Sequence, residues 1–149
     1  MSKLKIAIIG NGGICQGSHI DNYYEDKRVD VVAFCDIIEE RAIDLRDEYY
    51  PNAAVYTDYK ELLKDESIDA VDICTPNYLH SIIAVDAFKA GKHVLCEKPD
   101  AIDVTEVLKM KNAADEAGKV LMVIRNNRFV NASQYAKKFV EEGKMGEIY

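Results

Sequence analysis

No apolar stretch in this 149-residue sequence approaches the ~18 residues that a membrane-spanning helix needs, so no membrane partner is expected. Basic residues are in deficit and form no run. The 19 Lys and Arg against 26 Asp and Glu leave a net charge of −7, which makes nucleic acid and anionic lipid surfaces poor partners. With 8 Gly, 3 Pro and no repeat, the chain is neither collagen-like nor disordered. The apolar residues between Met1 and Gly10 number only five, too few for the core of a signal peptide. A Cys-x-x-Cys pair is also missing: Cys15, Cys35, Cys74 and Cys96 are separated by 20, 39 and 22 residues. That spacing is wrong for a zinc knuckle, so the cysteines read as reduced thiols of a cytoplasmic protein, with no metal. The alternative is that all four fall at strand ends and converge on one ion.

What remains is an ordinary globule, 48% hydrophobic and 30% charged, of one domain's length. Short β-branched runs alternate with longer segments of helical period. Strands are expected over 4–9, 29–36, 54–56, 70–74, 94–97 and 120–124. Helices are expected from the glycine-rich loop to about 25, then over 39–50, 59–64, 81–89, 103–116 and 133–142. Asp58 is a candidate N-cap, and Gly91 and Gly118 are candidate stops. Six strands alternating with helices predict an α/β fold, a doubly wound parallel sheet of Rossmann type with helices on both faces. Residues 1–125 would form a dinucleotide-binding domain. Residues 126–149 would be a connecting segment and helix leading toward a substrate domain absent from this chain. The segment that starts at 146 reads as the start of a new extended element, from which the chain is expected to be the front part of a longer protein.

Three clusters carry chemistry. Directly after the first strand stands Gly10-Asn11-Gly12-Gly13-Ile14-Cys15. As a Gly-x-Gly-x-x-small loop, it gives Gly10 the tight turn and lets the backbone at Gly12 approach a pyrophosphate. Cys15 is then the small residue where helix and strand pack closely. Asp36 ends the second strand 21 residues after Cys15, where a carboxylate accepts hydrogen bonds from the adenine ribose and repels a 2′-phosphate. Ile37 and Ile38 bring no positive charge to reverse that preference, although Arg41 lies one turn on. NAD is therefore expected ahead of NADP. The other clusters, Cys74-Thr75-Pro76-Asn77 with His80 and then Glu97-Lys98-Pro99, follow the fourth and fifth strands at the edge where open α/β sheets bind ligands.

The glycine loop, Cys74-Thr-Pro-Asn77 with His80, Ala90-Gly-Lys-His-Val-Leu-Cys-Glu-Lys-Pro99 and Arg128-Phe129 together resemble the glucose–fructose oxidoreductase/inositol dehydrogenase (Gfo/Idh/MocA) family. The resemblance covers essentially the whole chain but only the N-terminal half of a typical member. It implies NAD(P)-dependent oxidation of sugars, polyols and related hydroxyl compounds. Gly10, Asn11, Gly12, Gly13, Ile14 and Cys15 would hold the pyrophosphate, and Asp36 and Ile37 the ribose side. Thr75, Pro76, Asn77 and His80 would pass along the nicotinamide half. Glu97 and Lys98 would complete the cofactor site, with Lys98 as the catalytic residue beside the reacting hydroxyl. The resemblance also implies a further Asp and His on a C-terminal substrate domain that this chain does not contain, and a possible homo-oligomer. Without that domain the isolated chain is expected to be inactive. His19 is expected to play a supporting role. The run from Arg125 to Arg128 is either a nicotinamide-side or interdomain contact or an ordinary polar connection. A reading from another class is a non-catalytic NAD(H)-binding sensor or partner module. A third is a loop for another adenosine ligand such as a methyl donor, which leaves Glu97-Lys98-Pro99 unexplained.

Overall fold

Each of the six segments expected as strands contributes a strand of one sheet in the computed structural model, which describes residues 2–148. The strands are β1 (Leu4–Ile9), β2 (Val29–Cys35), β3 (Ala54–Tyr56), β4 (Ala70–Ile73), β5 (His93–Cys96) and β6 (Leu121–Val123). Their order is β3-β2-β1-β4-β5-β6 and every pairing is parallel. Helical crossovers are what parallel neighbours require: α1 (Ile20–Glu25), α2 (Glu39–Tyr49), α3 (Tyr59–Leu62), α4 (His80–Lys89) and α5 (Val104–Ala117), with α6 (Asn131–Glu141) after the last strand. This is the doubly wound Rossmann arrangement, with its strand order reversing between β1 and β4.

Alternation along β1 sends Ala7 and Ile9 into one core, with α3, α4 and α5, and Ile6 and Ile8 into a second, with α1 and α2. A register shift between Ile6 and Ala7 leaves Val32 as an extra residue in β2. It restores the phase, so that Phe34 joins the second core and Cys35 the first. Caps follow the residue chemistry. The Asp58 carboxylate accepts from the Lys60 N–H, and the Asp103 carboxylate from the Glu106 N–H. Gly118 closes α5 in the left-handed region.

One local feature differs from the expectation, and one element stays uncovered. The first helix does not start as a regular α-helix: Cys15–His19 is a π turn that leads into α1. The amphipathic period of α6 predicts a buried face, yet none of its residues is buried, and it meets little beyond the 3₁₀ turn Asn126–Phe129 before it.

Candidate functional site

The sheet register collects the motifs. Ile9 is paired with Cys35 on one side and Ile73 on the other, and Ile73 with Cys96. The next residues along the chain, Gly10, Asp36, Cys74 and Glu97, therefore stand side by side at the carboxyl edge. The ladder runs one step further into them: Gly10 N–H donates to Cys35 O, Cys74 N–H to Ile9 O and Glu97 N–H to Ile73 O.

Gly10 has φ +93°, and a Cβ there would lie 2.7–2.8 Å from the backbone of Cys74 and Thr75. Only glycine fits, because the turn presses against the end of β4. Gly12 and Gly13 differ: nothing lies within 4 Å of a Cβ at either. No protein packing demands them, and they leave open space before the start of the helix, whose first N–H groups lack intrahelical partners.

The Asp36 carboxylate accepts from Asn11 N–H at 2.7 Å and from Ile38 N–H at 2.9 Å, so it ties the glycine loop to the start of α2. Each oxygen keeps a further lone pair for a ribose hydroxyl. Arg41, half-exposed, stands 3.9 Å from the same carboxylate. A crevice of about 760 Å³ opens where the strand order reverses. Gly10, Gly12, Gly13, Ile14, Asp36, Ile37, Thr75 and Pro76 line it, with Arg41 beside Asp36, and with Tyr59 and Leu79 as walls that the sequence does not announce. The Thr75 hydroxyl is buried and has no hydrogen-bond partner among the described residues. An unfilled cradle at Gly12–Gly13, a carboxylate with spare lone pairs and an orphaned hydroxyl all fit a dinucleotide.

Not every candidate faces that crevice. Asn11 and Cys15 are fully buried beneath the loop. Asn77 is exposed on the 3₁₀ turn Asn77–Leu79. Lys98 and Pro99 line a separate cavity of about 430 Å³ together with Ile124 and Arg125 to Arg128. Arg125 is paired there with Asp100. His80 is buried, with Nδ1 2.7 Å from Pro99 O and Nε2 2.9 Å from Thr75 O, so it links the loops after β4 and β5.

Beside the glycine loop lies a buried polar cluster of which the sequence reading caught only parts. His19 Nδ1–H donates to Asp72 at 2.6 Å and Nε2–H donates to Glu97 at 3.0 Å. Tyr23 O–H donates to the same Asp72 oxygen at 2.9 Å. Burial by itself would lower the His19 pKa, but the hydrogen bonds and charges of Asp72 and Glu97 outweigh it and raise it to about 9. His19 is thus an imidazolium between two carboxylates. Burial and then Asp72 push the Tyr23 hydroxyl up. The other Glu97 oxygen accepts from Lys98 N–H at 2.9 Å. A signal for Asp72 was available, since an acid in the middle of a fully buried strand demands a partner.

The four cysteines do not converge. Cys15 and Cys74 lie in one core, Cys35 and Cys96 in the other, across the sheet. Burial lifts the thiols of Cys35 and Cys96 to about 12. A hydrogen bond with Cys15, then burial, lifts that of Cys74. His19, Asp72 and Cys74 bring ligand-type atoms within 4.8 Å. Two ligand atoms of one tetrahedral zinc stand about 3.3 Å apart, whereas His19 and Asp72 are in hydrogen-bond contact at 2.6 Å. That spacing is set for a proton. Among the described residues, no helix is long and apolar enough to cross a membrane.

Residues 4–125 match the family model described as an oxidoreductase family with an NAD-binding Rossmann fold. The D-glucoside 3-dehydrogenase of Escherichia coli is 36% identical over 99% of this chain and 42% of its own length. The WlbA dehydrogenase of Bordetella pertussis, solved with NADH and UDP-GlcNAcA, superposes with a TM-score of 0.89 at 31% identity, over 99% of this chain and 44% of that one. A scyllo-inositol dehydrogenase of Lactobacillus casei, solved with NAD(H) and scyllo-inositol, gives 0.85 at 26% identity, over 99% and 43%. The chain thus spans less than half the length of these relatives.

Proposed function

This chain belongs to the oxidoreductase family with an NAD-binding Rossmann fold, and from that membership we propose that it is the cofactor-holding part of a dehydrogenase acting on a sugar or polyol hydroxyl. Residues 1–125 are the dinucleotide-binding domain and 126–149 the connection onward. The substrate is held with residues that the longer relatives carry beyond the matched part. The protein works in the cytoplasm, as a homo-oligomer and without a nucleic acid or membrane partner. The observation that carries the reading is the register, which sets Gly10, Asp36, Cys74 and Glu97 abreast at one edge and opens the crevice between them.

Bound NAD supplies the acceptor for a hydride leaving the carbinol carbon. The side chains do the rest. Gly12 and Gly13 let the pyrophosphate reach backbone N–H groups at the helix start. Asp36 takes the ribose hydroxyls on the lone pairs that its two backbone bonds leave free. Thr75 offers its unpaired hydroxyl along the nicotinamide half. The amine of Lys98 takes the hydroxyl proton as the carbinol C–H bond breaks, and returns it in the reverse direction.

Calorimetric titration of the chain with NADH and, in parallel, NADPH tests the reading. Tighter binding of NADH is expected. Preference for NADPH overturns the role of Asp36 and hands the ribose end to Arg41, and binding of neither sinks the cofactor assignment.

A further inference from the structure

Lys98 itself is held by nothing. It is exposed, and its ammonium has no hydrogen-bond or ion-pair partner among the described residues. A lysine side chain with four free torsions does not stay at one place unless its backbone does. The groups on either side of it are by contrast fixed by buried imidazoles. On the N-terminal side, Glu97 is gripped by His19 at 3.0 Å and closes its second oxygen onto the Lys98 N–H at 2.9 Å. On the C-terminal side, the Pro99 carbonyl accepts from His80 at 2.7 Å. Each imidazole is in turn anchored to another part of the edge. His19 is bound to Asp72 of β4, and His80 to the Thr75 carbonyl beside the crevice. The sequence separations, 78 residues for His19–Glu97 and 19 for His80–Pro99, show that the short loop after β5 is held from outside.

We infer that His19 and His80 are positioning residues for Lys98, fixing the Glu97 carboxylate and the Pro99 carbonyl so that the lysine amine has one address relative to the crevice. A dinucleotide lying across the strand-order reversal puts its adenosine on the β2 side, with Asp36, and its other half on the β4–β5 side, toward this loop. The π turn belongs to the same device. It lies over Cys15–His19 and ends on the imidazole, which carries the first helix's contribution over to β4 and β5. The inference rests on the reading of Lys98 as the residue beside the nicotinamide.

The test follows the Lys98 amine directly. The folded chain is acetylated with limiting acetic anhydride, and the rate at each lysine is read by mass spectrometry, with Lys60 and Lys137 as exposed references. NADH, whose reduced ring is uncharged and acts on the amine by covering it, is expected to slow acetylation of Lys98 in the wild type by about fivefold, and ADP-ribose, which lacks the nicotinamide, to leave it unchanged. In His19→Gln and in His80→Gln, NADH should still bind by calorimetry, because the glycine loop and Asp36 are untouched, but protection of Lys98 should fall below about 1.5-fold. Full protection in both variants overturns the inference. Should His19→Gln fail to fold, Glu97→Gln, equal in volume, takes its place with the same expectation, and His80→Asn likewise stands in for His80→Gln. A wild type that binds NADH without protecting Lys98 removes the lysine's assignment and this inference with it. A wild type that binds neither ligand instead sinks the cofactor reading.

Discussion

Two glycines two positions apart carry different burdens. Gly10 answers to the protein: its φ and the backbone of Cys74 and Thr75 leave no room for a side chain. Gly10→Ala should cost about 3 kcal/mol through strain and overpacking, a fall of roughly 10 °C in Tm by calorimetry. Gly12 answers only to the ligand. Gly12→Ala should leave Tm within about 2 °C but weaken NADH binding by about tenfold or more, read by titration. His19 makes a prediction in pH. Its folded pKa of about 9 stands above the ordinary 6.5, so the native state holds this proton more tightly than the unfolded chain does. The stabilisation, up to about 3 kcal/mol, is complete below pH 6.5 and is lost as pH rises through 9. Urea melts at pH 6.5, 8 and 9.5 should show that decline, and His19→Gln should flatten it. The Tyr23 hydroxyl and Cys74 thiol are pushed up out of this window and do not blur it.

The elements were readable because β1, β2, β4 and β5 are largely buried apolar runs and each helix carries a period or a cap. Asp103 is an instance: it stands where the apolar period of α5 begins, and its carboxylate accepts from Glu106 N–H at 2.9 Å. Asp103→Ala should cost about 1 kcal/mol and roughly 3 °C in Tm without altering NADH affinity. The glycine loop, Asp36 and the residues after β4 and β5 were legible for a related reason, since the sequence distances between motif and strand end are local. Illegible were the features made by residues far apart in the chain. The π turn follows from where His19 must go to meet Asp72 and Glu97, partners 53 and 78 residues away. The bridging bonds of His80 likewise belong to two loops that nothing in the local sequence joins. In α6 the amphipathic period promised burial, and a pattern records what a helix is made to bury without supplying the surface that covers it.

Over the whole molecule, the second core runs under β1 and β2 but thins toward β5 and β6. Leu121 and Val94 point into the first core, so Met122, one step on, faces the other way and is 57% exposed. Tyr135 and Val140 of α6 are exposed as well. A native protein with these apolar groups exposed should enhance the fluorescence of an anilinonaphthalene dye. Met122→Ser should reduce that signal while moving Tm by less than about 2 °C, and a native protein silent toward the dye would show these groups to be covered. The ladder that sets Gly10, Asp36, Cys74 and Glu97 abreast has a counterpart at the amino edge of the sheet. There Lys92 is buried with its ammonium on the carbonyls of Asp65 and Ile68, and Asp69 accepts from Lys5 N–H. One rim of the molecule is thereby given to recognition and the opposite rim to holding the strands together. Inheritance can work on them separately: a lineage can retune what the upper rim binds, one loop at a time, while the lower rim keeps the same architecture for every descendant.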